Sequence, residues 1–266
     1  MKGKFKFKDD YVYKMPVHFG GAPFYPWSVV HEDTLTIIVQ YETDPKALVQ
    51  YLPEVFELRE PIVSVMYCNS REVVWMSNGE YRLIQVSIPV KYKGKSEEIS
   101  GDYALVVWEN KTCPIIGGRE EDGVPKIFAD IASERHVGDH WFTAASYESC
   151  TFLQIDMNKK NELPPQVIKQ INKNSRVNLF SWRYLPNIGK GGAALSQATL
   201  YPQEMNVKQA WNGEGSIRWT KLTPEQHPLQ HNIIAALADL PVVKYTNAML
   251  SRGMVKLNVS DSRTLS

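Results

Sequence analysis

Cysteine is scarce in this chain: three residues, Cys68, Cys113 and Cys150, among 266. The number is odd and no Cys-x-x-Cys pair occurs, which argues against a disulfide framework or a structural zinc site and fits a reducing compartment. No apolar run approaches the roughly 18 to 20 residues needed to span a bilayer. The basic start, Lys2, Lys4, Lys6 and Lys8, is not followed by the apolar core of a secretion signal. The chain is therefore read as cytoplasmic, and its first residues, alternating with Phe5 and Phe7, as an edge strand or a frayed terminus. An excess of either charge is also missing. Thirty basic residues stand against 29 acidic ones, a formal net charge of +1, and this leaves no footprint for nucleic acid or an anionic membrane. No fixed-period repeat and no linker divides the sequence, so residues 1–266 are expected to form one domain.

Several familiar chemistries lack their residues. Gly189-Lys190-Gly191-Gly192 has neither the spacing nor the Ser or Thr of a phosphate loop, and reads as a hairpin turn. His136 and His140 lie four apart, but no glutamate follows His136 in the zinc-protease pattern and Gly138 weakens a helix between them, so no metal site is assigned. Serines without a nucleophile-elbow context and cysteines without a neighbouring base offer no other nucleophile.

What the sequence does contain is mostly strand. Leu35 to Tyr41, Ile62 to Tyr67, Tyr81 to Val90, Tyr103 to Trp108 and Phe142 to Phe152 are β-branched, aromatic or alternating runs, with Lys91 to Ser100 as a polar hairpin tip. Helical signals are few. Asp44 can cap Pro45 to Tyr51, with proline at the first helical position. Pro164 to Asn172 is a helix or a loop turn, His231 to Leu240 a clearer helix, and Lys126 to Ser133 a short helix or an extended segment. Strand runs with peripheral helices predict a mainly β (α+β) fold and disfavour a doubly wound nucleotide-binding sheet.

One stretch carries chemistry: Gly117-Gly118-Arg119-Glu120-Glu121-Asp122-Gly123-Val124-Pro125-Lys126, followed by Ile127 and Phe128. An ammonium cannot attack a carbonyl, so a lysine nucleophile must be available as the free amine. Desolvation by apolar neighbours such as Val124, Pro125, Ile127 and Phe128 favours that form. Lys126 is the candidate Schiff-base residue. On spacing alone a Gly-rich acidic turn leading through Pro into a strand is also ordinary surface architecture.

Gly118-Arg119-Glu120 followed by Pro125-Lys126 resembles the active-site signature of the acetoacetate decarboxylase superfamily. Gly101-Asp102-Tyr103, Thr43-Asp44, Leu52-Pro53-Glu54, Leu185-Pro186-Asn187, Ala210-Trp211-Asn212-Gly213 and Leu240-Pro241-Val242 continue the likeness over roughly residues 20 to 257. The resemblance implies an antiparallel, cone-like β-barrel with a few peripheral helices and the lysine inside. It implies a cofactor-independent lyase, with no metal, that forms an imine with a small keto acid. By the same match, Arg119 and Glu120 are candidates to orient the substrate carboxylate and move protons, or else a salt bridge that shapes the turn. Homo-oligomers are expected on the same ground.

The departures from the family pattern bear on substrate. In true acetoacetate decarboxylases, a standard example of a lysine activated by a cationic neighbour, a second lysine follows the Schiff-base residue; here Ile127 does. Met66 and Leu83 fall at two glutamates of the decarboxylase pocket, and Thr34 near its arginine. Tyr81 and Gln197 remain as candidate substrate-binding residues, able to hold a water or relay a proton, or else a half-buried strand tyrosine and a strand-edge amide. Loss of pocket charge shifts the expectation toward aldolase or dehydratase chemistry on pyruvate, with an aldehyde as co-substrate. Decarboxylation of acetoacetate is the first alternative, and a carbonyl-binding protein without turnover the second.

Overall fold

The computed structural model describes residues 1–24 and 28–266. In chain order the main elements are β1 (Val29–Glu42), α1 (Pro45–Leu48), β2 (Ile62–Val73), β3 (Gly79–Lys93), β4 (Glu98–Glu109), α2 (Thr112–Glu120), β5 (Lys126–Phe128), β6 (His140–Tyr147), β7 (Cys150–Glu162), α3 (Pro165–Lys173), β8 (Arg176–Pro186), β9 (Ala193–Trp219), α4 (His231–Ala238) and β10 (Lys244–Leu257). The fold is mostly β with few helices, as the composition of the runs predicts.

Seven strands close on themselves in the order β9, β8, β4, β3, β2, β1, β10, with β10 pairing back onto β9. Closure leaves no open edge within the ring. The wall strands β1 and β2 show how the two faces divide. On β1, Leu35, Ile37, Val39 and Tyr41 belong to the main hydrophobic core, while Ile38 and Gln40 face a cavity inside the ring. On β2, Val63, Val65 and Tyr67 join the core and Ser64, Met66, Cys68 and Ser70 line the cavity. The period-2 alternation of a strand thus separates a packed outer face from a chemically mixed inner one. Phe152, Leu153, Ile155 and Met157 of β7 and Ile234 and Leu237 of α4 complete the outer core. β7 also pairs with the C-terminal stretch of β9.

Most pairings are antiparallel, but β4 runs parallel to β8 at Leu179↔Asp102 and Phe180↔Tyr103, and parallel to β5 from Val107↔Lys126 to Glu109↔Phe128. Parallel neighbours require a crossover of a dozen or more residues, usually helical. Here α2 supplies it, carrying the chain from Glu109 to Lys126. The segment read as a Gly-rich turn is therefore a helix through Glu120, and Lys126 begins a strand rather than a helix.

Other local expectations sort as follows. Asp44 caps α1, its carboxylate accepting from the Lys46 amide at 2.9 Å. Phe142 to Phe152 is two strands, turned at Glu148 and Ser149 with φ of 47° and 68°, the pair of positive values that a two-residue hairpin loop requires. Pro165–Lys173 is helical. Residues 2–8 form no strand. His136 stacks on Trp141 at 4.4 Å while His140 contacts Asp156 at 2.9 Å, so the two imidazoles engage different partners. No helix among the described residues is long and apolar enough to cross a membrane.

Candidate active site

Strand β5 lies beside β4, so Lys126 is registered against Val107 and its side chain runs toward Glu109. Nζ stands 2.9 Å from Glu109 Oε1 and donates to the carbonyl of Pro114 at 3.2 Å. Lys126 is 9% exposed and Glu109 0%. A charged pair this deep is tolerated because each partner compensates the other; removing one alone costs about 3–5 kcal/mol. Burial raises the Glu109 carboxyl above its ordinary range, with the Lys126 charge opposing. Among the described residues neither of its oxygens accepts a hydrogen bond of good geometry, so Lys126 is its one charged contact there. The pair is placed to exchange a proton directly.

Two neighbours fix the lysine. Gly118, in α2, faces its side chain: a Cβ there would lie 2.5 Å from Lys126 Cε and 2.8 Å from Nζ. Only glycine leaves that path open. Arg119 donates from Nη1 to the Lys126 carbonyl at 2.8 Å, tying the end of α2 to the start of β5. Gly123, at φ 73°, makes the turn between them against Arg183. Arg183 in turn donates to the Glu120 carbonyl.

Lys126 opens on a cavity of about 220 Å³ inside the ring, with His31, Leu83, Tyr81, Tyr201 and Met66 among its walls. A smaller recess of about 90 Å³ shares Lys126, Tyr81 and Tyr201 and adds Asp122, Gly118 and Lys14. His31 packs edge-on against Tyr81 with ring centroids 5.5 Å apart. Burial, and then the nearby Lys126 charge, lower its imidazole to about 4, so it is neutral near pH 7. Burial pushes the Tyr81 and Tyr201 phenols well above their usual range, keeping both as hydroxyl donors. Asp122 is pushed up to about 6, chiefly by burial.

The family model described as acetoacetate decarboxylase matches residues 14–263. The chain belongs to the acetoacetate decarboxylase family. It is similar to an acetoacetate decarboxylase of Burkholderia mallei, 27% identical over 236 residues that cover 89% of this chain and 87% of the relative. Among solved structures, the acetoacetate decarboxylase of Legionella pneumophila superposes with a TM-score of 0.71 at 22% identity, covering 96% of this chain and 90% of that one. The enduracididine biosynthesis enzyme MppR, in its complex with pyruvate, superposes with a TM-score of 0.70 at 15% identity, covering 96% and 98%. A further MppR structure holds the condensation product of pyruvate and imidazole 4-carboxaldehyde.

Of the residues singled out from sequence, Lys126 and Tyr81 reach the cavity, as do Met66 and Leu83, which make its wall apolar where family glutamates were expected. Arg119 acts on the lysine's backbone. Neither it nor Glu120 is a wall residue of the cavity. Gln197 lies on β9 opposite Arg183, four residues before Tyr201, on the same strand face but beyond the cavity. Glu109, His31, Asp122 and Tyr201 were not anticipated. Glu109 ends the buried run Tyr103 to Trp108, and a carboxylate closing such a run was the available signal. Its meeting with Lys126 depends on a parallel register that spacing does not encode.

Proposed function

We propose that this chain is a cofactor-independent Schiff-base lyase acting on a small keto acid through Lys126. Aldolase or dehydratase chemistry on pyruvate is placed ahead of acetoacetate decarboxylation. The observation that carries the reading is the buried Lys126 amine, 2.9 Å from Glu109, opening onto a cavity inside the ring. Glu109 takes the proton from Lys126. The free amine attacks the keto carbon, and the carbonyl oxygen leaves as water as the C=N bond forms. The protonated imine then accepts the electron pair released when an adjacent bond breaks. If the bond is C–H of the pyruvate methyl, the enamine attacks an aldehyde carbon. If it is the bond to a β-carboxylate, carbon dioxide leaves.

The preference between these rests on the wall. Ile127 supplies no second cation, and Met66 and Leu83 supply no carboxylates beside the reacting carbon. Pyruvate, with its single carboxylate next to the imine, needs fewer charged partners than loss of carbon dioxide assisted by acidic residues. The MppR complexes, described above, support pyruvate as a ligand for this ring of strands. Tyr81 and Tyr201 are the hydroxyls in reach of an enamine, and Gln197 stands outside that group. Arg119 and Glu120 act as positioning residues for the lysine strand. The ring is read as the cone-like barrel of the family, the chain as one domain, the protein as cytoplasmic and homo-oligomeric.

Decarboxylation of acetoacetate is the second reading, favoured by the family match over residues 14–263. A carbonyl-binding protein without turnover is the third. Borohydride reduction with pyruvate and separately with acetoacetate, followed by intact mass and peptide mapping, separates them. The expected result is an adduct on Lys126 with pyruvate, slow gas release from acetoacetate, and turnover once an aldehyde is supplied. A Lys126→Ala variant that keeps activity would overturn the amine mechanism.

A further inference from the structure

The wall of the cavity is graded along its length. Register sets out successive rows of inward-facing side chains across β1, β2, β3 and β4. At the catalytic level Glu109 pairs with Leu83, and Leu83 with Cys68. One row on, Val107 pairs with Gln85, Gln85 with Met66 and Met66 with Ile38. The next row is polar: Ser87 pairs with Ser64 and Ser64 with Gln40. Asp102, opposite Pro89, follows it. All of these except Pro89 are wall residues of the one cavity.

The polar row is lightly committed to the protein. Gln40 donates to Ser64 at 3.4 Å and Gln85 to Ser87 at 3.4 Å, both long for a hydrogen bond, and Gln40 also accepts from Asn247 at 3.1 Å, so the spare capacity lies mainly with Ser64, Ser87 and Asp102. The half-buried Asp102 carboxylate has no hydrogen bond or ion pair among the described residues, and burial holds it above its ordinary range. Gln40, Ser64 and Asp102 also border an outer recess of about 400 Å³, so the collar lies at a mouth of the cavity. From Leu83 to Ser87 is four strand residues, roughly 13 Å at about 3.3 Å each. Pyruvate held on Lys126 covers only a small part of that distance. A polar row with hydrogen-bonding capacity to spare at a mouth, beyond an apolar belt of Met66, Ile38 and Val107, calls for a ligand of matching pattern.

We infer that the occupant is a keto compound with an apolar spacer of about six to eight atoms and a hydrogen-bond-donating head, such as a hydroxyl, held by the Gln40, Ser64, Ser87 and Asp102 collar. At about 1.2 Å per extended bond, such a spacer crosses the belt and leaves a hydrogen-bond length at the end. This rests on the imine reading of Lys126 and names its substrate class. The tail arrives either on the keto substrate or on the aldehyde that pyruvate condenses with.

The test is borohydride trapping on the full-length protein with three 2-oxo acids: pyruvate, 2-oxooctanoate and 8-hydroxy-2-oxooctanoate. The C=N bond formed with loss of water takes up hydride, so each adduct is a stable secondary amine on Lys126, read by mass. The hydroxylated chain is expected to half-saturate at a concentration at least tenfold below the other two. Ser87→Ala and Gln40→Leu should each cut that preference over 2-oxooctanoate several-fold. A fourth arm supplies pyruvate with 6-hydroxyhexanal: an adduct of combined mass assigns the tail to the co-substrate, and trapping of the intact chain alone assigns it to the keto acid. Adducts with all three acids at equal concentration would overturn the collar and leave the imine reading standing. No adduct with any, pyruvate included, would overturn the imine reading and the collar with it.

Discussion

Replacing Gly118 by alanine tests whether the geometry around Lys126, rather than the fold, carries the chemistry. The added Cβ would lie 2.5 Å from Lys126 Cε, 2.6 Å from Cδ and 2.8 Å from Nζ. Carbon atoms rest at about 3.5–4.0 Å, so the lysine must retreat by about 1 Å, or α2 must. The lysine side chain is the softer partner. Overpacking of this kind costs about 1–3 kcal/mol, while alanine in place of glycine in a helix returns about 0.8–1.0 kcal/mol. Net stability should therefore fall by no more than about 2 kcal/mol and the protein remain folded.

The chemistry should suffer more. A displacement of about 1 Å at a reacting group costs about 10²-fold in rate, and this one also takes Nζ away from Glu109. The assay pairs the initial rate of reductive trapping with pyruvate at Lys126 with urea unfolding of the same sample. The control is Gly117→Ala, where the nearest atom to a new Cβ is Lys14 Nζ at 4.0 Å. That variant should trap at the normal rate. Normal trapping by Gly118→Ala would refute the argument, as would equal losses in the two variants.

Two further outcomes are expected. Glu109→Gln keeps the shape of the partner but cannot take the lysine's proton. Trapping should slow by about 10²–10⁴-fold, the usual range for a positioned proton acceptor, and Glu109→Asp should restore part of it; a Gln variant at full rate would remove Glu109 from the mechanism. His31, lowered to about 4 from 6.5 by burial and then by the Lys126 charge, is neutral in both folded and unfolded chains above pH 6.5. Below that the unfolded chain takes up the proton first, so stability is lost as pH falls from 6.5 through 4, by about 3 kcal/mol in all. The difference in urea stability between the wild type and His31→Asn should change over that window, and a constant difference would show that His31 does not resist protonation.

The fold was legible in the sequence to the extent that it follows from local periodicity. The runs at Leu35, Ile62, Tyr81 and Tyr103 are strands because β-branched and aromatic residues alternate there, and Asp44 with Pro45 marks a helix start by its own chemistry. What escaped depends on distant pairing. Phe142 to Phe152 hid a reversal because Glu148 and Ser149 are not the glycine or asparagine that advertises a positive φ. Gly117-Gly118 disguised a helix because low helix propensity was outweighed by the need for the lysine to pass. Among the candidate site residues, Lys126 was singled out by its motif and Tyr81 by its place on a strand, and both line the cavity. Glu109 meets Lys126 only through the parallel pairing of β4 with β5, and His31 of β1 reaches the same cavity only when the ring closes.

The placement of Glu109 also bears on how this cavity handles protons beside the apolar Met66 and Leu83. Met66 and Leu83, which the sequence reading matched to family glutamates, stand in the cavity wall as apolar side chains. An apolar wall strengthens whatever charge remains, because electrostatic attraction rises as the effective dielectric falls. The carboxylate nearest the lysine, that of Glu109, stands 2.9 Å from the amine itself, while Asp102 lies rows away along the cavity wall. That arrangement favours activating the amine and returning a proton near the imine nitrogen. It does little for a second carboxylate on the substrate. On the imine reading proposed above, charge is concentrated on forming and breaking the C=N bond, and the apolar belt and the polar collar beyond it are left to choose the ligand.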